Sequence, residues 1–503
     1  MNVHVYPFLP SFRLGLVVVA AVSLCYGLLR VTYNLFFHPL SHFPGPRGAA
    51  CTRLWLAYME LVKRVSLSDL RAELHRKYGD VVRISPNELH FSHPAAYNEI
   101  YNAQNKWDKD HEFYRAFDVG EAFFAQTNYL KSKHSRALVS NFFSRQSISE
   151  LQHLVRSLVR VSLPMSHASP NVTFTLQLDQ FCDRLKAQNR EGKSSDLYLG
   201  FQCFSADTIT NFCFAASFNQ LSFPEFRGDI VLGIDIAMDT VTLRKFSDVF
   251  IWLLRSFPHS LLARISPALK GLLTFRRALK NQIEAILRSP QAMDDAPHRI
   301  IYRELLNPEA IKGRPVPTAQ QLLNEAEVLF SAGSHTVGTV LMTGVYHLLH
   351  NPETKQRLVD EVRSAWPVLD SPPSYEELER LPFLASALLT AVIKEMLRIA
   401  PAVPAGLPRV VPPSGAVIAG VRIPGGPGSK ALDNCLVAFS KGPRSCLGIN
   451  LGYCELYLAL AYLFRRFDVR ADLAKPADLK WSEHFLPLFE GQHLHAYCDP
   501  LDD

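Results

Sequence analysis

The 503-residue sequence lacks the marks of several protein classes. Its nine cysteines are odd in number and irregularly spaced, and no CxxC pair occurs, which argues against a disulfide framework or a structural zinc site and favours a reducing compartment. Glycine (25 residues) and proline (33 residues) are too few for a collagen-like or low-complexity chain. The 53 basic and 47 acidic residues leave a formal charge of only +6, so the clustered basic charge of a nucleic-acid-binding protein is not indicated.

The composition favours a large and mostly helical domain. Hydrophobic residues make up 48% of the chain and charged residues 20%, which is enough to bury a sizeable core. We find no internal repeat and no internal linker, so the sequence predicts one mainly α body with minor β. Strands are predicted at 81–84 and 88–91, with small strands at 416–418 and 421–423. Helices are predicted at 146–162, 201–217, 264–289, 319–349, 353–366, 375–400 and 446–466.

The N-terminal residues predict a membrane anchor. Sixteen residues without charge run from Leu14 to Leu29, between Arg13 and Arg30, and the apolar character extends back towards Val5. About 20 residues are needed to cross a bilayer, so this run with its flank is adequate for one span. A cleaved signal peptide is the alternative, but no clear cleavage site precedes the globular part.

The sequence is therefore divided into an anchor (1–30), a proline-rich hinge (31–48) and a catalytic body (49–503). Within the hinge, Phe43–Gly48 holds two prolines around a glycine, which stops a helix and stiffens the connection. An ordinary turn is the alternative. Basic residues on the C-terminal side of the apolar run favour a cytosolic body: Arg30, Arg47 and Arg53.

A cysteine near the C-terminus lies in the patterned string from Phe439 to Gly448. Gly442 allows a tight backbone turn, and Gly448 allows a flat ligand to approach closely. Cys446 stands at the predicted loop-to-helix junction, where helix N-terminal amides favour its thiolate. Arg444 is placed to pair with an acidic group of such a ligand. A buried cysteine beside a turn is the alternative, but the agreement of six spaced positions favours a ligand site.

This string matches the haem-binding signature FxxGxRxCxG at every fixed position, and the sequence resembles the cytochrome P-450 superfamily. The resemblance covers nearly the whole chain and is nearest to fungal membrane-bound members of the trichodiene-oxygenase-like kind. It implies a cytochrome P-450 fold preceded by an N-terminal transmembrane helix. It also implies haem b (iron protoporphyrin IX), with the Cys446 thiolate as axial ligand of the iron. The other implied haem-binding residues of the string are Phe439, Gly442, Arg444 and Gly448.

Four further residues follow from the resemblance. Glu395 and Arg398 match the ExxR pair of the superfamily, a buried structural ion pair on the haem side of the core, whereas alone they would be a common surface pair. Arg409 is implied as a partner for a haem propionate. Arg136 matches another propionate-binding arginine, with a solvated basic face as the alternative.

The predicted helix at 319–349 carries the string Ala332-Gly333-Ser334-His335-Thr336. Gly333 costs about 1 kcal/mol in a helix interior, and a local opening over a bound ligand would explain it. The string resembles the oxygen-activation site of the superfamily, in which Thr336 would steady dioxygen and relay protons. His335 stands where the family has an acid, and it either relays protons near neutral pH or merely packs or points to water.

One segment is shorter than the resemblance implies. Arg398 and Cys446 are only 48 positions apart, several tens fewer than is usual in the superfamily, and the missing segment falls near 426–429. It normally includes a Pro-Glu-Arg-Phe region, whose arginine completes the ion network with Glu395. A half-satisfied buried ion network is costly. A mis-spliced product or a degenerate protein is therefore a second hypothesis.

The leading hypothesis is a haem-thiolate monooxygenase that inserts one oxygen atom of O2 into a lipophilic small molecule, such as a terpenoid or another fungal secondary metabolite. The resemblance implies NADPH-cytochrome P-450 reductase as the electron donor. It also implies a single-pass anchor in the endoplasmic reticulum membrane, a cytosolic catalytic domain and no nucleic-acid partner. The alternatives are a catalytically defective haem-domain remnant and a haem-thiolate enzyme that uses peroxide or isomerises its substrate without a reductase.

Overall fold

The chain folds into two compact units, each assembled from distant stretches of sequence. A computed structural model describes residues 8–150, 174–247, 256, 266–309, 315–381, 388–425, 430–433 and 438–501. The first unit comprises residues 1–100 and 406–435, and the second comprises residues 101–405 and 436–503. Helices of at least eight residues are numbered α1 to α11 in chain order below.

The first unit begins with the long apolar helix α1 (Phe8–Thr32), which continues as a π-helical turn at Tyr33–Phe37. Side chains from Val17 to Leu29 are exposed. The stretch Val17–Phe37 is long and apolar enough to cross a membrane. The predicted N-terminal apolar helix is thus confirmed. Further helices of this unit are Arg47–Cys51, Leu54–Ala57, the π-helical Tyr58–Val62, α2 (Leu67–Tyr78) and Pro94–Ile100.

A small mixed sheet forms the rest of the first unit. The predicted strand pair is confirmed as Val81–Ser85 antiparallel to Glu88–Phe91. The second of these strands runs parallel to Lys430–Asp433, which in turn pairs antiparallel with Arg409–Val410. The predicted small strands are confirmed as a separate antiparallel hairpin, Ala416–Ile418 with Val421–Ile423.

The proline-rich hinge is packed directly on this sheet. The backbone N–H of Arg83 donates to the Pro44 carbonyl at 2.7 Å. A Cβ atom at Gly45 would lie 2.3 Å from the Arg83 carbonyl oxygen, so only glycine fits this close approach.

The second unit is mainly helical. In the described part of the chain it contains α3 (Tyr129–Ser140), α4 (Phe174–Arg190), α5 (Leu197–Phe214), α6 (Asp229–Phe246), α7 (Pro267–Arg288), α8 (Ala319–Leu349), α9 (Pro352–Ala365), α10 (Leu388–Ile399) and α11 (Ile449–Arg466). Shorter helical turns are His111–Tyr114, Arg115–Phe117, Gln220–Ser222, Pro224–Phe226, Pro290–Met293, Ile301–Leu305, Tyr375–Glu379 and Gly442–Arg444. Its strands are Asp108–Lys109, Ser195–Asp196, Phe467–Ala471, Trp481–Glu483, Pro487–Phe489 and His495–Pro500.

The long helix α8, hereafter the central helix, organises the core of the second unit. It begins with a capping box, in which the Thr318 hydroxyl accepts from the Gln321 N–H and the Gln321 side chain accepts from the Thr318 N–H. Every residue of the neighbouring helix α5 is buried. Gly338 lets the two helices approach closely, since a Cβ atom there would lie 3.0 Å from the Gln202 backbone nitrogen. The central helix is apolar enough to cross a membrane but is mostly buried within the unit.

Most predicted helices are found with ends shifted by a few residues, as is usual for helix termini. The prediction at 375–400 corresponds to two helices, Tyr375–Glu379 and Leu388–Ile399, while residues 382–387 lie outside the described residues. Most of the predicted helix at 146–162 also lies outside them, as does the predicted gap at 426–429.

Candidate active site

The cysteine loop, Phe439–Gly448, turns back on itself just before α11. The Cys446 N–H donates to the Phe439 carbonyl at 2.7 Å, which closes the loop. Gly442 has φ +71°, and a Cβ atom there would lie 2.4 Å from the Tyr101 carbonyl oxygen. Both features require glycine, so the predicted tight turn at this position is confirmed.

The Cys446 thiol is accessible at the end of this loop. Cys446 is exposed, whereas Cys182, Cys203, Cys213, Cys454 and Cys498 are buried. Its other sides are crowded by protein, and this desolvation raises the pKa of the thiol, although the Gly448 N–H and the Arg136 charge act in the opposite direction. The Gly448 N–H thus favours the thiolate as predicted, but in the protein alone desolvation outweighs the amide and the arginine. A metal cation at the sulfur would reverse that balance.

The surroundings of Cys446 fit a flat, iron-bearing group. The residue is open to a ligand, and Gly448 faces open space, since a Cβ atom built there has no other atom within 4 Å. Gly448 is also the N-cap of α11, whose first N–H groups lack intrahelical partners. Behind the loop, the Phe439 ring packs against Tyr453 with centroids 5.2 Å apart.

Two predicted arginines lie at this loop. Arg136, on α3, donates to the carbonyl oxygens of Ser445 and Cys446 at 2.6 and 3.4 Å. Arg444 directs its guanidinium fork at the carbonyls of Gln126 and Thr127, at 2.8 and 3.0 Å. The structure thus brings both arginines together with Cys446, while their propionate role stays a prediction.

Arg409 lies in the first unit, and it is buried there. Its guanidinium donates to the carbonyl oxygens of Leu407 and Pro408 at 2.9 and 3.2 Å. These bonds stabilise the turn that leads into the strand Arg409–Val410. Its predicted contact with a propionate remains a prediction.

The Glu395–Arg398 pair forms, but it is not buried. Arg398 donates from Nε and Nη2 to the two carboxylate oxygens at 2.7 and 2.6 Å. The Glu395 and Arg398 side chains are 56% and 68% exposed, so the predicted buried ion pair is wrong. The physical reason is that the two residues satisfy each other at the surface of α10, and no described residue between Arg398 and Cys446 covers them. The hydrogen bond from Arg398 lowers the pKa of Glu395.

The central helix presents part of the predicted oxygen-activation string to open space. Ala332 is exposed and Thr336, one turn later, is half-buried. The Thr336 hydroxyl donates to the Ala332 carbonyl at 2.8 Å. Gly333 lies against the neighbouring helix α5: a Cβ atom at Gly333 would lie 2.6 Å from Cγ1 of Ile209 on that helix. The glycine is therefore explained by helix packing rather than by the predicted opening over a ligand.

His335 is buried and points away from that accessible face. Its Nε2 atom lies 3.1 Å from the Tyr198 hydroxyl and 3.2 Å from Asp235 Oδ1. Its Nδ1 atom lies 3.4 Å from the Thr339 hydroxyl. Sequence reasoning missed Asp235 and Tyr198, although a single acid within the apolar run Ile234–Ile236 is a signal that could have been used.

An aromatic cluster borders the segment that Arg444 holds. Centroids of Phe117 and Phe485 are 4.6 Å apart, and those of Phe117 and Phe124 are 5.1 Å apart. Lys109 lies over the Phe124 ring at 4.6 Å and donates to the Phe124 carbonyl at 2.6 Å. Except for Tyr114, its members are only half-buried: Phe113, Tyr114, Phe117, Phe124 and Phe485. The cluster offers an apolar surface that sequence reasoning had not singled out.

A buried carboxylate joins the same segment to the central helix. Glu325 accepts the Phe123 N–H at 2.7 Å. Burial raises the pKa of Glu325 to about 8, although this hydrogen bond acts in the opposite direction. One hydrogen bond between the segment 113–124 and the central helix is therefore made by a buried carboxyl group whose pKa is raised to about 8.

Comparison with known proteins identifies the family. The sequence profile of the cytochrome P-450 family matches residues 46–427 and 432–486, and the match is interrupted at the predicted position of the short segment. Cytochrome P-450 monooxygenase flvC of Aspergillus flavus is 30% identical over 545 aligned residues that cover 96% of both chains. Cytochrome P-450 monooxygenase macH of Penicillium terrestre is 28% identical over 95% of this chain and 96% of the relative. Tryptophan 6-hydroxylase fscE of Fusarium equiseti is 28% identical over 90% of each chain. The chain therefore belongs to the cytochrome P-450 family, and it is an oxidoreductase of the monooxygenase type.

Proposed function

We propose that this protein is a membrane-anchored haem-thiolate monooxygenase of fungal secondary metabolism. The cofactor is haem b, and its iron is held by the Cys446 thiolate. The haem, when bound, supplies the activation of dioxygen. NADPH-cytochrome P-450 reductase supplies the electrons, and the apolar helix at Val17–Phe37 anchors the chain in the endoplasmic reticulum membrane with the body in the cytosol.

The protein's own residues bind and orient the cofactor and move protons. Arg136, Arg444 and Arg409 hold the propionates, for which a guanidinium fork is well suited. Gly442 fixes the turn of the cysteine loop, and Gly448 leaves room beside the sulfur. Thr336 offers a hydroxyl on the accessible face of the central helix, with His335 as its neighbour in sequence. The observation that carries the proposal is the exposed Cys446 at the end of the closed loop before α11.

The proposed substrate is a lipophilic small molecule, either a terpenoid or another secondary metabolite. The half-buried aromatic rings of the cluster around Phe117 support this class, because such rings bind apolar and flat molecules well. The name of flvC states no substrate, so it does not decide between a terpenoid and another metabolite. The name of fscE, tryptophan 6-hydroxylase, adds an aromatic amino acid to the compounds worth testing.

A carbon-monoxide difference spectrum tests the cofactor. The full chain is expressed in membranes, reduced with dithionite and exposed to carbon monoxide; a thiolate-ligated ferrous haem gives a strongly red-shifted Soret band. Cys446→Ser must abolish this band, whereas Cys25→Ser, at another exposed cysteine in the apolar helix, must keep it. A band that survives Cys446→Ser overturns the assignment of the ligand.

A catalytically defective haem-domain remnant is the second candidate function. It is favoured by the exposed Glu395–Arg398 pair and by the interruption of the family match between 427 and 432. Absence of haem from the purified wild-type chain, or only the unshifted band of a lost thiolate, supports the remnant. If the shifted band is present, a need for NADPH and reductase distinguishes the monooxygenase from an enzyme that uses peroxide.

A further inference from the structure

The C-terminal end of α6 meets the aromatic cluster around Phe117 at two points. Arg244 donates from Nη1 to the Phe117 carbonyl at 3.4 Å. Two residues earlier on the helix, the Thr242 hydroxyl lies 2.9 Å from Nδ1 of His484. The residue after His484 is Phe485, whose ring packs edge-on against that of Phe117 with centroids 4.6 Å apart. An arginine at the end of α6 therefore lies beside the half-buried rings of the cluster.

The Arg244 guanidinium is supplied with few acceptors. Of the five N–H donors that an arginine carries, one is directed at the Phe117 carbonyl and one at the Ala237 carbonyl, the latter at 3.1 Å. Its Nε atom is enclosed by protein and has no hydrogen-bond partner among the described residues. A cationic donor group in such surroundings is costly when its acceptors are missing. Because the residue as a whole is half-buried, a ligand can supply the charge and the acceptors that the protein does not.

The charges around Arg244 compensate it only in part. Desolvation lowers the pKa of Arg244 and the Asp118 charge acts in the opposite direction, so the guanidinium stays charged at neutral pH. Asp118 is exposed, and water screens its charge. Glu327, a second acid near Asp118, is already paired with Arg276 at 3.0 Å. Glu325, with its pKa raised to about 8, is mostly uncharged at neutral pH. The end of α6 therefore places positive charge beside an apolar surface.

We propose that Arg244 determines the substrate specificity of this enzyme, and that its substrates are lipophilic acids whose carboxylate Arg244 binds. This inference rests on the proposed monooxygenase function. The carboxylate accepts from the Nη groups of Arg244 and takes the place of the long bond to the Phe117 carbonyl. The apolar body of the substrate lies on the rings of Phe117, Phe124 and Phe485, which offer flat apolar faces.

A carboxylate fits this neighbourhood better than other groups do. One guanidinium offers a single charge and a planar fork, and both match a singly charged, planar carboxylate. A phosphate monoester carries nearly two charges at pH 7 and needs further cations. Lys109, the cation within the cluster, already donates to the Phe124 carbonyl at 2.6 Å. An uncharged substrate leaves the positive charge of Arg244 uncompensated beside the rings.

Acids and their methyl esters, compared in pairs, test this recognition. The probes are dehydroabietic acid, a rigid terpenoid acid, and indoleacetic acid, a flat aromatic acid, each with its methyl ester. The full chain with haem is titrated at pH 7.5 in detergent, and the change in Soret absorbance on binding gives each dissociation constant. We expect the wild type to bind at least one acid about 10- to 100-fold more tightly than its ester, which is the range for hydrogen bonds to charged groups.

Variants at the end of α6 assign the preference to one side chain. Arg244→Gln removes the charge and keeps a polar side chain, and we expect it to weaken acid binding by about 10- to 100-fold while ester binding changes by less than about two-fold. Arg244→Lys keeps the charge without the planar fork, so we expect an intermediate loss. Lys245→Gln is the matched control, because it removes the same charge from the next residue, whose Nζ lies 5.0 Å from the centroid of the Phe246 ring. Its acid-to-ester ratio should equal that of the wild type.

Two results overturn the proposal. The first is equal binding of acids and esters by the wild type, or binding of neither acid by a chain that gives the carbon-monoxide band. The second is an equal loss for acid and ester in Arg244→Gln, since a merely structural contact affects both members of a pair alike. If the wild type gives no carbon-monoxide band, the proposed function itself has failed. Equilibrium dialysis of radiolabelled dehydroabietic acid against the wild type and Arg244→Gln then judges Arg244 alone, and equal binding by the two proteins overturns its role.

Discussion

Gly333 offers a direct measure of how the central helix is packed. A Cβ atom at this position would lie 2.6 Å from Cγ1 and 2.9 Å from Cδ1 of Ile209, so Gly333→Ala forces the Ile209 side chain or the helix to move. Alanine gains about 1 kcal/mol of helix propensity over glycine. Overpacking a tight core costs about 1–3 kcal/mol. We therefore expect Gly333→Ala to lower the free energy of unfolding by about 1 kcal/mol, because the clash outweighs the gain in helix propensity.

The two closest contacts are with atoms that a substitution can remove, while Cβ of Ile209 at 3.0 Å remains, so the rescue can be tested directly. Ile209→Ala deletes Cγ1 and Cδ1 and costs about 2–5 kcal/mol alone, because Ile209 is buried in the core. In the double variant the new methyl group no longer meets those atoms. The double variant should therefore be more stable than the sum of the single effects predicts, by about 2 kcal/mol.

Gly338 provides the matched contrast on the same helix. A Cβ atom there would lie 3.0 and 3.1 Å from the backbone nitrogen and Cα of Gln202, as well as 2.8 Å from its Cγ. Truncating Gln202 to alanine removes Cγ but leaves both backbone atoms in place. We expect little rescue of Gly338→Ala by Gln202→Ala, in contrast to the pair at 333 and 209.

The assay is thermal unfolding of the full chain in detergent, followed by circular dichroism at a fixed scan rate because large chains commonly unfold irreversibly. Midpoints of the six variants are compared with that of the wild type. If Gly333→Ala is as stable as the wild type, or if Ile209→Ala gives no rescue, helix packing is not the reason for this glycine. A local opening over a ligand, as the sequence had suggested, would then be the better explanation.

Three further predictions address the cysteine loop, the exposed ion pair and the buried acid. Gly442→Ala strains a backbone at φ +71° and places a methyl group 2.4 Å from the Tyr101 carbonyl oxygen. We therefore expect this variant to have a weaker shifted carbon-monoxide band and a lower unfolding midpoint than the wild type. An unchanged band and midpoint would contradict the loop geometry. Arg398→Ala should leave the unfolding midpoint unchanged, because the Glu395–Arg398 pair is exposed, whereas a marked fall would mean that the pair is covered in the folded protein. For Glu325 the folded pKa of about 8 lies above the usual 4.5, so the stability linked to this group is fully present below pH 4.5 and is lost as the pH rises through 8. Glu325→Gln keeps an acceptor for the Phe123 N–H without this loss. We therefore expect it to exceed the wild type in stability by on the order of 5 kcal/mol at pH 9 and to come within about 1 kcal/mol of it near pH 5; parallel pH profiles of the two proteins would refute this assignment.

Local patterns allowed much of the fold and the turn of the cysteine loop to be predicted from the sequence. The apolar run before Arg30 and the helix at 319–349 are visible because their periodicity or composition is continuous. The turn at Gly442 follows from a glycine whose conformation other residues rarely adopt. The strand pair at 81–91 follows from β-branched residues that flank a short turn.

Contacts between distant residues could not be predicted in the same way. Asp235 and His335 lie on different helices, and nothing in the short string around either residue identifies the other. The packing of Gly333 on Ile209 depends on which helix lies beside the central helix, which periodicity does not specify. The expected burial of Glu395 came from a resemblance, and it failed where the chain is shorter than that resemblance implies.

The contacts around Cys446 indicate what stabilises the cysteine loop in this shortened chain. The loop is closed by the Cys446–Phe439 backbone bond, supported by Arg136 from α3, and fixed at Gly442 by its contact with Tyr101. None of these contacts involves the exposed Glu395–Arg398 pair. The contacts that close the cysteine loop are therefore independent of that ion pair, and the exposure of Glu395 and Arg398 does not by itself open the loop.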